Sequence, residues 1–384
     1  MKKITQVLSY LIVAMGGASM MFLFLTFTGQ LQGPTKLEEL QTIIEERYIG
    51  DVNVTLMEDY AAAAMVAATG DRWSGYISAD EYQDYMARAN NSYVGVGMTI
   101  LTQEEGFEVT RVEPNGPAAE AGVEAGDVII AVNGANVVGL TAAAVSPLVK
   151  GVAGTTVDIT FLRGGEERTL TIERREIQTV VAEGRMLEGN VGLVTIYNFD
   201  SRCYDETMAA LEPLLEQGAE KLIFDVRGNP GGYQKELVKI LDYLLPEGDL
   251  FHSEYYTGKV TVDKSDAKCL DMPMAVLING DSYSAAEFFA AALEEYDAGI
   301  TVGQPTTGKG YFQTVIDLSD GSAVRLSVGR YTTPNGVDLA EAGGLQPQIL
   351  VEVDEEVYAA IAAGTLAPED DPQIQAALEA LTQE

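Results

Sequence analysis

Three nearly continuous apolar runs, each leading through a turn into a helix-forming stretch, constrain this chain more than any other feature. "NVGLVTIYNF" precedes "ETMAALEPLLEQG", "KLIFDVRGNPGG" precedes "YQKELVKILDYLL", and "PMAVLING" precedes an Ala-rich segment beginning at Ser284. A strand buried on both faces reads as an unbroken apolar run. Repeated strand–turn–helix units place such strands in one largely parallel sheet with helices laid over it. Residues 177–353 are therefore predicted to form an α/β domain.

The rest of the chain has a different texture. Residues 1–30 carry Lys2 and Lys3, then a stretch without any charge up to Lys36. That is about the length needed to cross a bilayer, and the flanking charges predict an uncleaved signal anchor with the body outside the cytoplasmic membrane. A cleaved signal peptide, and hence secretion, is the alternative. Residues 31–90 read as helical: "TKLEELQTIIEERY", "LMEDYAAAAMVAAT" closed by Gly70, and "SADEYQDYMARAN". From residue 91 to 176 short alternating strands take over, among them "FEVTRVE", "GDVIIAVNG", "TTVDITFLRG" and "RTLTIERRE", with helix-like pieces at "PAAEAGVEAG" and "TAAAVSPLVKG". A linker falls near 175–182. Residues 354–384 end in a short amphipathic helix.

The segment 91–176 resembles a PDZ domain, on "YVGVGMTI", "PNGPAAEAGVEAGDVIIAVNG" and "GVAGTTVDITFLRGG". Glycines let successive N–H groups converge on one concavity, and an adjoining strand edge pairs with an extended peptide. The loop Tyr93, Val94, Gly95, Val96 and Gly97 is the predicted binding site for a peptide carboxylate. The competing reading is that Gly95 and Gly97 only ease a tight strand entry.

Composition narrows the chemistry. With 24 Lys plus Arg against 58 Asp plus Glu, the net charge is −34. Such a chain repels phosphate backbones and anionic lipid surfaces, so no nucleic-acid partner is expected. One histidine, His252, and two cysteines, Cys203 and Cys269, are too few for a zinc site. No cofactor or metal is expected. An oxygen-only Ca or Mg site stays open, without a D-x-D-x-D-G pattern to support it. Whether the two cysteines pair is not decided by their spacing.

Two strand ends carry unusual turns, at the edge where α/β sheets place their sites. Arg227-Gly228-Asn229-Pro230-Gly231-Gly232 is a turn able to present backbone N–H groups to an oxyanion. Asn279-Gly280-Asp281-Ser282-Tyr283-Ser284 delivers Ser284 to a helix N-terminus. Ser284 with Glu287 also fits a capping box, and on those four residues alone the cap is the favoured reading. The weighing changes at "TTGKGYFQT", 25 residues on. Lys309 stands between two glycines, where close backbone packing would bury it and lower its pKa from about 10.4 toward the range of a usable base. On a strand, Lys309, Tyr311 and Gln313 would share one face, and Gln313 would orient the amine. Without a well-placed histidine, a serine–lysine pair is the main remaining way to activate Ser284.

In combination these segments resemble the carboxyl-terminal processing peptidases, the tail-specific serine proteases of the S41 family that join a PDZ domain to a ClpP/crotonase-like α/β domain. The resemblance covers nearly everything after the apolar N-terminus. It rests on "SYSAAE" at 282–287, "GKG" at 308–310 with Gln313, "DVRGNPGG" at 225–232, "TTPNGVDLAEAGGLQPQILVEV" and "GDRWSGYISADEY". It implies Ser284 as nucleophile, Lys309 as general base and Gln313 as its support. The oxyanion would be held by the Ala285 N–H with one from Gly231 or Gly232. The implied substrates are unfolded proteins or exposed tails with free C-termini, gated by the PDZ domain, and the implied assembly is a homodimer. Asn335–Asp338, where relatives often carry a basic residue, and Tyr283, where they carry a small one, depart from the pattern and bear on substrate preference. The alternatives are a membrane-anchored PDZ scaffold without activity, and a trypsin-like triad built on His252.

Overall fold

The computed structural model describes residues 34–383, together with 17 and 19–21. The predicted signal anchor lies almost wholly outside the described residues, among which no helix is long and apolar enough to cross a membrane. The chain divides into two compact units, Met1–Ala62 and Ala63–Glu384.

The first unit contains the helix Lys36–Arg47 and the start of Val54–Ala67. Thr35 caps the former: Glu38 N–H donates to its Oγ1 at 3.3 Å, and Thr35 N–H donates to Glu38 Oε2 at 2.6 Å. Neither helix buries a residue, and Leu37, Leu40 and Ile43 are exposed.

The second unit is built around the six-stranded sheet that the apolar runs predict. Its order is Ala182–Leu187, Val191–Ile196, Lys221–Asp225, Met274–Ile278, Gly299–Gly303 and Ile349–Leu350. The first pair is antiparallel and the remaining pairs are parallel. Alternation within each strand sends residues to two covered faces. Leu222, Phe224, Val276 and Ile278 meet the helices Cys203–Glu216, Gln234–Leu244 and Ala285–Glu295. Ile223, Ala275 and Leu277 meet Ile374, Ala377 and Leu381 of the C-terminal helix Pro372–Gln383. Phe224 and Phe289 are fully buried and pack edge-on at 5.3 Å; each buried ring is worth about 1.5–3 kcal/mol.

A second, five-stranded sheet joins Gly75–Ile77, Ala323–Thr332, Gly248–Tyr255, Val260–Ser265 and Tyr311–Asp317. Of these, only the last was expected as a strand. The sheet consists of two local hairpins, Gly248–Tyr255 with Val260–Ser265 and Tyr311–Asp317 with Ala323–Thr332, joined across long separations, with Gly75 opposite Arg325 and Ser253 opposite Tyr331.

The PDZ-like segment folds as a separate sheet, Met98–Gln103, Gly106–Val112, Val128–Val132, Thr156–Arg163 and Glu166–Glu173, with the short Ala135–Asn136 alongside. Phe107, Val109, Ile129, Ile159 and Phe161 fill its core against Val145 and Val149 of the helix Ala142–Val149. Of "PAAEAGVEAG" only Pro117–Glu120 is helical. Gly122 follows at positive φ, 86°, and ends it. A ribbon of Ser92–Gly95 with Arg175–Gln178 closes the base of this module.

Candidate active site

The two turns singled out from sequence lie side by side and are braced by buried polar side chains. Asn279 Oδ1 accepts from Gly228 N–H at 2.9 Å and from Asp281 N–H at 3.1 Å. Ser282 Oγ donates to the Val226 carbonyl at 2.7 Å. The Tyr283 N–H donates to the Asn229 carbonyl at 3.1 Å, and Asn229 Nδ2 reaches the Ile196 carbonyl at 2.7 Å. Asn229 and Ser282 have no solvent exposure, so losing any of these partners strands a buried polar group.

Ser284 emerges from this frame at φ 58°, ψ −125°. A non-glycine residue held there costs about 1–3 kcal/mol and persists only because its surroundings over-determine it. Ser284 and Glu287 do face each other as a capping box does. The carboxylate half is a hydrogen bond from Ser284 N–H to Glu287 Oε2 at 2.7 Å. The Glu287 N–H also donates to the Ser284 carbonyl at 2.9 Å.

Gly231 packs directly on this serine. It has φ 86°, and a Cβ there would sit 2.8 Å from Ser284 Cβ, Ala285 N and the Tyr283 carbonyl. Its N–H donates to Asn229 Oδ1 at 2.8 Å. Gly232 pairs with Phe199 in an isolated parallel bridge, in which Phe199 N–H donates to the Gly231 carbonyl at 2.9 Å and Tyr233 N–H to the Phe199 carbonyl at 2.6 Å.

Glu287, read from sequence only as the capping-box partner of Ser284, has a second role. It is fully buried, and it joins the serine turn to the lysine loop. Its Oε2 accepts from Ser284 N–H and also from Lys309 N–H, at 2.8 Å. Its Oε1 accepts from Gly308 N–H at 2.7 Å and Thr306 Oγ1 at 2.6 Å. Beyond the capping-box spacing, the sequence signal for that role is an acid flanked by apolar residues in "AAEFFAAAL".

The glycines beside Lys309 do permit close packing. A Cβ on Gly308 would lie 2.8 Å from Gly344 N, and one on Gly310 would lie 2.7 Å from Asp338 Oδ1. Burial accordingly lowers the Lys309 amine to about 8, with Arg325 and Arg72 acting in the same direction against Glu287 and Asp71. The amine Nζ lies 4.7 Å from the centre of the Trp73 ring and 5.6 Å from that of Tyr283.

Gln313 is placed differently from expectation. The strand begins at Tyr311, beyond Lys309, and its register with Ala323–Thr332 shifts between Phe312 and Gln313. The extra residue of that shift, Val328, is in the partner strand; Lys309 falls outside the alternation because it precedes the strand. Gln313 Nε2 donates to the Tyr311 carbonyl at 3.1 Å and to Ser327 Oγ at 3.0 Å.

Of the carboxylate-loop residues, Tyr93, Val94 and Gly95 lie in the strand Ser92–Gly95, paired with Arg175–Gln178. Val96 and Gly97 make the turn, their carbonyls accepting from Ala118 N–H at 2.8 Å and Glu113 N–H at 3.0 Å. The strand that follows, Met98–Gln103, is the edge of its sheet. His252 lies in the five-stranded sheet with Nε2 3.5 Å from Asp249 Oδ2. Cys203 is buried, Cys269 is exposed, and both are free thiols; burial pushes the Cys203 thiol up to about 12.

The pattern characteristic of peptidase family S41 matches residues 190–351, and that of a PDZ domain matches residues 108–163. The chain is 30% identical over 325 residues to the carboxy-terminal processing protease CtpA of Bacillus subtilis, covering 83% of this chain and 69% of that protein. It is also 30% identical over 324 residues to a probable CtpA-like serine protease of Staphylococcus epidermidis, covering 82% of this chain. It spans 65% of the length of that relative. A solved photosystem II D1 C-terminal processing protease superposes with a TM-score of 0.52 at 28% identity, covering 88% of this chain and 92% of the other.

Proposed function

We propose that this chain, which belongs to the carboxy-terminal processing proteases of peptidase family S41, is a serine endopeptidase in which Ser284 is the nucleophile and Lys309 its general base. One observation carries the reading: the buried Glu287 carboxylate binds the backbone N–H of both residues on the same oxygen, at 2.7 and 2.8 Å.

The chemistry follows from the parts. Neutral Lys309 takes the Ser284 proton as Oγ adds to the scissile carbonyl. The developing oxyanion is met by the Ala285 N–H at the helix N-terminus. The second donor is the Gly232 N–H, because the Gly231 N–H is already given to Asn229 Oδ1. Gly231 serves by its lack of a side chain, which leaves room beside Ala285 N. The Lys309 ammonium then protonates the leaving amine, and a second cycle with water as nucleophile releases the acyl group. Gln313 would join the lysine only after leaving Ser327.

Substrates are proposed to be polypeptides with free C-termini. The Val96–Gly97 turn would receive the terminal carboxylate, with Tyr93–Gly95 framing it, and the free edge of Met98–Gln103 would add the peptide as a further strand. Residues 1–30 are proposed to anchor the body outside the cytoplasmic membrane, and a homodimer is the proposed assembly.

The test is digestion of β-casein, a generic unfolded substrate, by the full chain, Ser284→Ala and Lys309→Met. Wild type should cleave. Ser284→Ala should be inactive, and Lys309→Met should lose roughly 10²–10⁴-fold. Undiminished cleavage by either variant overturns the assignment; peptide binding without cleavage by wild type would favour the scaffold reading.

A further inference from the structure

Trp73 precedes the helix Ala79–Ala89 and is fixed by local chemistry. Its backbone N–H donates to Asp71 Oδ1 at 2.9 Å. Ser74 Oγ binds Asp71 Oδ2 at 2.5 Å and accepts from Ser327 N–H at 3.0 Å. The Trp73 and Tyr283 rings stand 5.8 Å apart, tilted by 31°. The Lys309 amine lies within cation–π range of both. Arg72 already lies 4.2 Å from the same indole, so the lysine stays there against the repulsion of a second cation. Meanwhile no hydrogen bond links Nζ to Ser284 Oγ among the described residues, and Gln313 is turned to Ser327.

We propose that Trp73 and Tyr283 form a holding site for the Lys309 ammonium, which the amine must leave before it can serve Ser284. Tyr283 occupies the position inside the serine turn where a small side chain would give the amine no second aromatic wall. The holding site favours the charged amine, as cation–π attraction requires. Substrate occupancy would have to break these contacts, so aromatic release and activation of Ser284 become one event. The inference rests on the reading of Lys309 as the base.

Trp73 is the only tryptophan in the chain, so its emission reports on this site alone. A nearby ammonium quenches excited indole by proton transfer. Emission of the full chain, titrated from pH 6 to 10, should rise in one step with midpoint near 8. The charged and titratable groups around the amine are Arg325, Arg72, Glu287, Asp71 and Tyr283, and burial raises the Tyr283 phenol above its ordinary value. The step should persist in Ser284→Ala and vanish in Lys309→Met and in Lys309→Gln. Saturating Ser284→Ala with a tryptophan-free unfolded peptide, its occupancy followed by anisotropy of a label, should abolish the step. A step retained in both lysine variants, no step in wild type, or a step unchanged at full peptide occupancy overturns the proposal. Failure of the base assignment looks different: the step depends on Lys309 while Lys309→Met still cleaves casein.

Discussion

Glu287 and Gly231 show how much of the site depends on single residues. Glu287 takes four donors from two segments, while Gly231 gives Ser284 and Ala285 the space they occupy. Gly231→Ala would strain a φ of 86° and press a methyl onto Ala285 N. Because a displacement of about 1 Å at reacting groups can cost roughly 10²-fold, kcat on casein should fall by that order while the PDZ module still binds peptide. An unchanged kcat would mean that the glycine turn does not shape the oxyanion site. Ser284, Lys309 and the glycine turn are legible in sequence because each carries its signal within a few neighbours. Glu287's second role is not, since it depends on a contact with residues 21 and 22 positions away. Gln313 faces Tyr311 and Ser327 here because period-two alternation holds only inside a strand, and the strand begins after Lys309.

At the scale of elements, the parallel strands announce themselves because burial on both faces removes polar residues from them. The five-stranded sheet does not, since its strands are partly exposed and lack an unbroken apolar run, and its two hairpins are joined only by pairings distant in sequence. The C-terminal helix reads from sequence as an amphipathic tail, yet it covers one face of the central sheet. It is also tied to the glycine turn. Arg227, which opens that turn, binds Asp225 Oδ2 at 2.6 Å and Asp371 Oδ2 at 2.8 Å, and its side chain is only 5% exposed. Asp371 Oδ1 caps the helix through Gln373 N–H at 2.9 Å and Ile374 N–H at 3.2 Å. Asp371→Ala removes a charged hydrogen bond and a cap together, about 2–4 kcal/mol. Native-state hydrogen exchange should register this as lost protection across residues 374–381, with the PDZ sheet unaffected. Full retention of protection there would show the helix to be held by its apolar face alone.

In the whole molecule a peptide-binding module with an open sheet edge is joined to a serine held in strain beside a lysine of lowered pKa. The acidic surface and the module order are visible in composition and motif; the position of the amine between Trp73 and Tyr283 is a property of the folded chain only. The central claim is that neutral Lys309 activates Ser284, and the pH dependence of kcat/KM tests it most directly. A peptide substrate without groups titrating between pH 6 and 10 makes the profile that of the free enzyme. Protonation removes the base, so activity should be low in acid, rise about tenfold per pH unit, and level off above a midpoint near 8. A profile flat from pH 6 to 9, or a limb near about 6.5 that disappears in His252→Ala, would contradict the account.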